Sequence, residues 1–281
     1  MPRVARFSIA PVRSLALEHP TEIDVTEHGV VEDRRFYLTD DANRLVDRIL
    51  VGRLVQVAAH TDPEAKTLRM AFPDGTVVEG EVQLGEHIET PMYGRTATGH
   101  VVIGPWADAL ASIAGRAVRV IRCDRPAATR QGNPTSIISD GSLRELASHA
   151  GVHEVDPRRF RMLIDLEGAT AHEEDTWIGG RIAIGEAILR VTMPTARCAI
   201  TTQDPDTGAR DLDTLRTIIE YRGLREGKHA DLGVLADVER PGRIRLGDEV
   251  SVLSMPAAES MAESATAGSP GGGSSPRPRP R

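Results

Sequence analysis

The chain has 281 residues, a formal net charge of −7 and only 3% aromatic residues. The negative charge disfavours non-specific binding to nucleic-acid phosphates, and the scarcity of aromatic rings disfavours stacking on the bases of single strands. No apolar run approaches the about 20 residues of a membrane span and no signal segment opens the chain. With only two cysteines, we expect a cytoplasmic protein without disulfides and with neither nucleic-acid nor membrane partners.

Short β-rich segments separated by turn residues fill the first hundred residues. These predicted strands cover residues 4–9, 23–25, 36–38, 54–58, 67–71 and 100–103. Their separators include Pro73-Asp74-Gly75, and evenly spaced short strands of this kind predict a barrel or a sandwich. A helix is predicted from Trp106 to Ala114, ending at Gly115.

From residue 117 the pattern becomes strands interrupted by two helices. The predicted strands cover residues 118–121, 162–166, 182–184, 187–192, 232–238, 243–245 and 249–253. One helix carries apolar residues at helical spacing up to Ala150, with Ser139 or Ser142 as its cap. A second lies around residues 212–221. We therefore predict a mixed, mainly β (α+β) fold with one domain at 1–116 and another at 117–254.

The composition changes after Met255 to Ala, Glu, Ser, Gly and Pro, and the chain ends in repeated Pro-Arg pairs. Such a segment buries too little apolar surface to offset the entropy lost on ordering. Residues 255–281 are therefore predicted to be a disordered tail. Docking of the Pro-Arg end on a partner in polyproline form is a weaker alternative.

Cys198 follows Arg197 at the end of a β-branched segment and precedes the turn sequence Asp204-Pro205-Asp206-Thr207-Gly208. This context predicts a loop between strands. A neighbouring guanidinium lowers a thiol's pKa, and a thiolate is a soft metal ligand. The alternative is a small buried packing residue, which these residues taken alone favour.

Several arginines stand close to predicted strand ends rather than on helix faces. They are Arg13 (followed by Ser14), Arg34, Arg161 and Arg197. Guanidinium groups at such positions bind phosphate through paired hydrogen bonds, although ordinary surface pairing with acids such as Asp33 is the simpler interpretation for each one singly. Together with a cysteine in a loop they indicate an anionic cofactor. The acidic run at residues 172–175 is interpreted as a solvated surface cluster.

Nine segments, in order, resemble the MOSC proteins that carry an N-terminal β-barrel domain, including the mitochondrial amidoxime-reducing component and its bacterial relatives. The matching segments are Pro11-Val12-Arg13-Ser14, Val31-Glu32-Asp33-Arg34, Ser142-Leu143, Phe160-Arg161, Glu174-Asp175-x-Trp177, Ile184-Gly185, residues 197–208, residues 215–222 and residues 241–248. The resemblance covers about residues 1–254. It implies an N-terminal β-barrel-like domain packed on a MOSC β-barrel domain with a few helices.

The resemblance also implies a molybdenum-pterin cofactor (Mo-molybdopterin), with Cys198 as metal ligand and catalytic residue. By motif, the residues lining its phosphate and pterin would be Arg13, Ser14, Arg34, Arg161, Ala196 and Arg197. This chain departs from the family's pattern at several positions. Arg13 replaces a Lys, Leu163 an Asn, Ala196 a Ser, and Gly132-Asn133 a hydroxyl pair for which Asn133 is a possible substitute.

The activity implied by the resemblance is reduction of small N-oxygenated substrates such as amidoximes, hydroxylamines and N-oxides. The chain lacks the cysteines for its own iron–sulfur cluster, so its electrons would come from a separate flavin or iron–sulfur donor. Two alternatives stay open. One is a sulfur carrier or sulfurtransferase with a persulfide on Cys198, and the other is a cofactor-binding module without catalysis.

Overall fold

The computed structural model describes residues 1–126, 129 and 133–254, and within them the fold is mainly β with three α-helices. The strands are β1 Arg3–Phe7, β2 Glu22–Val25, β3 Phe36–Thr39, β4 Leu45–Val46, β5 Ala58–Thr61, β6 Thr67–Ala71, β7 Val77–Glu81, β8 Gln83–Met92, β9 Arg95–Ile103, β10 Arg119–Cys123, β11 Thr135–Ser139, β12 Ile164–Glu167, β13 Arg181–Ile184, β14 Ala187–Ala196, β15 Asp231–Arg240, β16 Gly242–Arg245 and β17 Val250–Ser254. The helices are α1 Trp106–Ala114, α2 Asp140–Ala150 and α3 Thr214–Arg222. The predicted mixed, mainly β fold class is confirmed.

One group of elements, the N-terminal unit, consists of a five-stranded sheet, a three-stranded sheet and α1. The sheet orders are β4-β3-β10-β9-β8 and β5-β6-β7. Trp106 and Leu110 of α1 are buried against Leu68 and the inner faces of these strands, and the Trp106 indole Nε1 donates to the Leu68 carbonyl at 3.1 Å. Burial of this apolar helix face gives the N-terminal unit its own core.

A seven-stranded sheet with α2 and α3 forms the barrel unit, in the order β1-β12-β11-β15-β14-β13-β17. Its two outer strands also meet. The Val4 amide donates to the Asp248 carbonyl at 3.0 Å, and the Val250 amide donates to the Pro2 carbonyl at 2.9 Å. These hydrogen bonds close the sheet into a barrel and satisfy edge groups that would otherwise stay unpaired.

Helix α2 begins with Ser139 as its N-cap, and the Ser139 side chain accepts a hydrogen bond from the Ser142 amide at 3.1 Å. Of the two predicted caps, Ser139 is therefore the one used. Glu174 lies buried beneath this cap and accepts hydrogen bonds from the Ser139 and Ser142 hydroxyls at 2.6 and 2.7 Å. The interpretation of residues 172–175 as a wholly solvated cluster is wrong for Glu174, because the helix cap encloses its carboxylate.

Strand pairing exchanges segments between the two units. The N-terminal strand β1 pairs with β12 in the barrel unit, and β2 forms a separate two-stranded sheet with β16 from near the other end of the fold. In the opposite direction, β10 pairs with β3 and β9 of the N-terminal unit. The predicted boundary between residues 116 and 117 assigns β10 to the other side. A strand's composition indicates that it pairs but not with which partner, so this exchange has no local signal.

Local differences from the predicted elements have simple causes. Residues 54–58, predicted as a strand, overlap the end of the 3-10 helix Gly52–Gln56 and the first residue of β5. A short apolar run does not distinguish a strand from a helical segment. Strands β7 and β8 were missed, since many of their residues are polar and exposed. No helix among the described residues is long and apolar enough to cross a membrane. The predicted tail, residues 255–281, lies outside the described residues.

Candidate functional site

A cavity of about 160 Å³ opens between the N-terminal unit and the barrel unit. Both units line it, with Arg13, Ser14, Arg34, Arg48, Asn133, Ser136, Arg159, Phe160, Arg161, Met162, Thr195, Ala196, Arg197, Cys198, Ile200, Thr201 and Leu235. All eight residues proposed from the sequence are in this set. The fold therefore gathers them at one place, and their individual roles stay predictions.

Cys198 stands between the end of β14 and the short 3-10 helix Ala199–Thr202, as that helix's N-cap. The residue is exposed and carries a free thiol, while the other cysteine, Cys123, is buried. The Cys198 carbonyl accepts hydrogen bonds from the Thr201 amide and hydroxyl, both at 3.1 Å, which fixes the loop. An exposed thiol at a cavity lined by several arginines is not a packing residue, so that interpretation of Cys198 is not supported.

Arg197 directly precedes the cysteine, and its side chain is held by backbone carbonyls. Its Nε donates to the Leu232 carbonyl at 2.7 Å, and its Nη1 donates to the Phe160 carbonyl at 3.3 Å. The guanidinium carbon is 5.2 Å from the centre of the Phe160 ring, a cation–π arrangement. Burial lowers the pKa of Arg197 to about 10, so the side chain stays charged at neutral pH.

Three residues that line the cavity have a left-handed backbone conformation that non-glycine residues seldom adopt. The φ angles are 75° at Ser14, 54° at Arg34 and 51° at Arg161. The Arg34 Nη2 donates to the Arg161 carbonyl at 3.2 Å, and the Arg161 Nη2 donates to the Leu15 carbonyl at 2.8 Å. Such strain persists only where surrounding structure enforces it, and it concentrates at binding and catalytic sites.

Arg13 reaches into the cavity from the N-terminal unit. Its Nη1 donates to the Thr129 carbonyl at 2.6 Å, and its guanidinium carbon lies 5.3 Å from the centre of the Tyr93 ring. The Nε is buried and has no hydrogen-bond partner within the described part of the chain. An unpartnered buried donor is costly, which makes this side chain receptive to an acceptor in the cavity.

The cavity carries a surplus of positive charge. Arg34 pairs with Asp33, and Arg159 pairs bidentately with Asp211 at 2.6 Å for both contacts. The other four arginines of the lining have no carboxylate partner among residues 1–126, 129 and 133–254: Arg13, Arg48, Arg161 and Arg197. Burial, and then the neighbouring Arg48, lower the pKa of Arg161 well below its ordinary value. Clustered, desolvated positive charge of this kind attracts anions.

Sequence reasoning missed two of the six arginines. Arg159 adjoins the Phe160-Arg161 segment and was within reach of that pattern. Arg48 has no local signal, because it lies in a turn between β4 and the 3-10 helix Gly52–Gln56. Its Nε donates to Gln203 Oε1 at 2.8 Å, a contact across 155 positions of sequence.

The turn that follows the cysteine loop is stabilised by hydrogen bonds among its own residues. Asp204 Oδ1 accepts hydrogen bonds from the Thr207 amide at 2.7 Å and the Thr207 hydroxyl at 2.8 Å. Burial raises the pKa of Asp204, but the hydrogen bonds from Thr207 outweigh it and hold the pKa below its ordinary value. Gly208 then packs directly on Gly52, where a Cβ on Gly208 would lie 2.1 Å from the Gly52 oxygen. The turn thereby joins the cysteine loop to the N-terminal unit.

The positions that depart from the family's pattern have different surroundings. Leu163 is fully buried in the barrel core, and its amide donates to the Ser136 hydroxyl at 3.0 Å. Ala196 lines the cavity without a hydroxyl, while the adjacent Thr195 hydroxyl is buried and unpartnered among the described residues. Asn133 donates to Asp237 at 2.6 Å. Gly132 lies outside the described residues.

Comparison with known proteins gives one matching family model, the MOSC domain, over residues 124–251. The mitochondrial amidoxime-reducing component 1 of Mus musculus is 33% identical over 141 residues, covering 48% of this chain and 41% of that protein. The mitochondrial amidoxime reducing component 2 of Homo sapiens is 35% identical over 128 residues, covering 42% and 36%. The chain thus spans about two fifths of the length of these relatives.

Among solved structures, the YuaD protein from Bacillus subtilis aligns with 90% of this chain and 96% of its own. The sequence identity is 14% and the TM-score is 0.45.

Proposed function

We propose that the chain is a molybdenum-cofactor-dependent oxidoreductase in which Cys198 ligates the metal and acts in catalysis; the match of residues 124–251 to the MOSC domain model supports this. The cofactor-binding residues in this proposal are Arg13, Ser14, Arg34, Asn133, Arg161, Ala196 and Arg197. The observation that carries it is a combination: one exposed thiol shares a cavity with four arginines that have no carboxylate partner in the described chain.

The residues present fit such a group chemically. A thiolate is a soft ligand suited to a thiophilic metal, and Cys198 is the exposed thiol of the cavity. Guanidinium groups match the oxygens of a phosphate, and the buried Nε of Arg13 has no partner among the described residues. An anionic, phosphate-bearing cofactor that also offers a metal would satisfy both requirements at once.

When bound, the cofactor supplies two-electron chemistry that removes an oxygen atom from the substrate. The chain's own residues position and enclose it. Cys198 would hold the metal at a loop fixed by Thr201, next to Arg197, whose guanidinium is anchored to the Leu232 carbonyl. Arg13 from the N-terminal unit and Arg161 from the barrel unit would neutralise anionic groups of the cofactor. The fixed hydrogen bonds of these side chains keep the cavity organised before the ligand arrives.

Measurement of metal in the purified full chain tests the cofactor assignment. We expect stoichiometric molybdenum by inductively coupled plasma mass spectrometry, its loss in Cys198→Ala, and its retention in Cys123→Ala, because Cys123 is buried. Absence of molybdenum from the wild-type protein would contradict the proposal. Cyanide-releasable sulfur on Cys198 in that protein would instead support a sulfurtransferase with a persulfide.

The proposed substrates are small N-oxygenated compounds, since the curated relatives are named amidoxime-reducing components. The proposed electron donor is a separate flavin or iron–sulfur protein. Molybdenum-loaded chain with reduced viologen as artificial donor should convert benzamidoxime to benzamidine, and Cys198→Ala should not. A molybdenum-loaded protein that reduces neither amidoximes nor hydroxylamines would overturn the substrate assignment and leave the cofactor assignment standing.

A further inference from the structure

We infer that Arg48 is an anion-binding residue of the cavity that takes a phosphate group on the Cys198 side. The inference stands on the geometry of the cavity and does not require the proposed activity. Neither the resemblance nor the comparisons draw attention to this arginine, which belongs to the N-terminal unit and lies outside the matched MOSC segment.

The first observation is burial without partners. Arg48 is only 1% exposed, and its Nη1 and Nη2 are buried with no hydrogen-bond partner in the described chain. Buried polar groups in folded proteins are nearly always hydrogen-bonded, and charged ones are costly to leave unpaired. Since Arg48 lines the cavity, an acceptor on a ligand that enters the cavity supplies the missing hydrogen bonds of its terminal nitrogens.

The second observation is that the guanidinium is held in place. The Arg48 Nε donates to Gln203 Oε1 at 2.8 Å, and Gln203 Nε2 donates back to the Arg48 carbonyl at 2.8 Å. Gln203 is itself buried and follows Cys198 by five positions, at the end of the same loop. These reciprocal contacts orient the two free nitrogens relative to the cysteine before any ligand binds.

The third observation is that neighbouring acids are already engaged. The Asp47 carboxylate accepts from the Ile49 amide at 2.9 Å and from the Tyr93 hydroxyl. The Asp204 carboxylate accepts from the Thr207 amide at 2.7 Å and from the Thr207 hydroxyl at 2.8 Å. Neither Arg48 nor the neighbouring Arg161 forms an ion pair within the described residues, so two positive charges lie side by side at the cavity. A phosphate dianion neutralises the two positive charges of Arg48 and Arg161 better than a carboxylate does. Its oxygens also match the two parallel N–H donors of a guanidinium group.

Inorganic phosphate is the probe, used with full chain expressed in a host that cannot make molybdenum cofactor. Calorimetry and thermal unfolding are measured at constant ionic strength, with chloride as reference. Phosphate should bind the wild type and raise its Tm. Arg48→Met should lose this response, and Arg48→Lys should bind at least about tenfold more weakly, because a point charge replaces the planar fork. Arg119→Gln is the matched control; its arginine is part-buried outside the cavity lining.

Two sources of the phosphate group are separated with cofactor-loaded protein. If the group belongs to the cofactor, the loaded protein no longer responds to phosphate and Arg48→Met loses pterin content, measured by fluorescence after oxidation. If it belongs to a substrate, the loaded protein still responds and pterin content is unchanged. Either result supports the inference. A phosphate response in Arg48→Met equal to that of wild type overturns it. If Arg48→Met does not fold, a phosphate affinity of Arg48→Lys equal to that of the wild type overturns the inference instead.

Discussion

Substitution of Gly233 by Ala tests whether the backbone beneath the cavity is as tightly packed as the geometry requires. Gly233 lies on β15 with φ of +73°, next to Leu232, whose carbonyl holds Arg197. A Cβ at this position would lie 2.6 Å from the Ile137 carbonyl oxygen and 3.1 Å from both the Arg197 Nη2 and the Met162 Cε. The nearest of these atoms is backbone of the paired strand and cannot rotate away.

Two costs add in the Gly233→Ala variant. The left-handed backbone costs a residue with a Cβ about 1–2 kcal/mol relative to glycine. Insertion of a methyl group against a fixed backbone atom costs about 1–3 kcal/mol more, through displacement of the strand or of Arg197. We therefore expect the free energy of unfolding to fall by about 2–5 kcal/mol.

Urea unfolding at pH 7, followed by circular dichroism, measures this loss, with Gly151→Ala as the matched control. Gly151 also has a left-handed backbone, φ +67°, in the same unit, but a Cβ there would meet nothing within 4 Å. The control should therefore show only the conformational cost of about 1–2 kcal/mol. Equal losses in the two variants would refute the argument that close packing around Arg197 excludes a side chain at Gly233.

Three further changes test other parts of the structure. Burial raises the pKa of Asp165 to about 6 from 3.8, so its proton stabilises the fold below about pH 4. That contribution, up to about 3 kcal/mol, is lost as pH rises to about 6. The free energy of unfolding, measured as a function of pH, should show this loss in the wild type and not in Asp165→Asn. Glu174→Ala should lower Tm and cost about 2–4 kcal/mol, since two buried hydroxyls lose their acceptor; an unchanged Tm would contradict this role. Replacing Arg13, Arg34 or Arg161 singly by Gln should lower pterin content without unfolding, and normal content in all three variants would exclude them as phosphate ligands.

Elements whose signals are local could be predicted from the sequence. Helix α1 spans Trp106–Ala114 as expected, because a glycine ends it and its apolar residues repeat at helical spacing. The placement of β10 could not be predicted, since its partners β3 and β9 lie elsewhere in the chain. The same limit applies to Glu174. Its neighbours in sequence are acidic, and only the fold brings it under the hydroxyls of Ser139 and Ser142.

The residues of the candidate site likewise fall into those that sequence motifs indicate and those that only the fold brings together. Cys198 and Arg197 are adjacent in one motif, but that stretch taken alone favoured a packing residue, and the ordered resemblance of the segments around it was needed to single out the pair. Arg48 is defined by a contact with Gln203 and by a cavity formed from two units, and neither exists until the chain has folded. The net charge of a cavity depends on which carboxylates pair with its arginines. Pairs such as Arg159 with Asp211 form only through tertiary contacts, so the sequence does not indicate them.

The site is therefore a product of both units rather than of the segment that matches the MOSC model alone. Residues 124–251 supply Cys198 and three of the cavity's arginines. The other three, Arg13, Arg34 and Arg48, come from outside that segment, as does strand β1, which closes the barrel. Contacts between Gly52 and Gly208 and between Arg48 and Gln203 fasten the cysteine loop to the N-terminal unit. A segment cut at residue 124 would keep the thiol but lose half of the guanidinium groups and both supports of its loop.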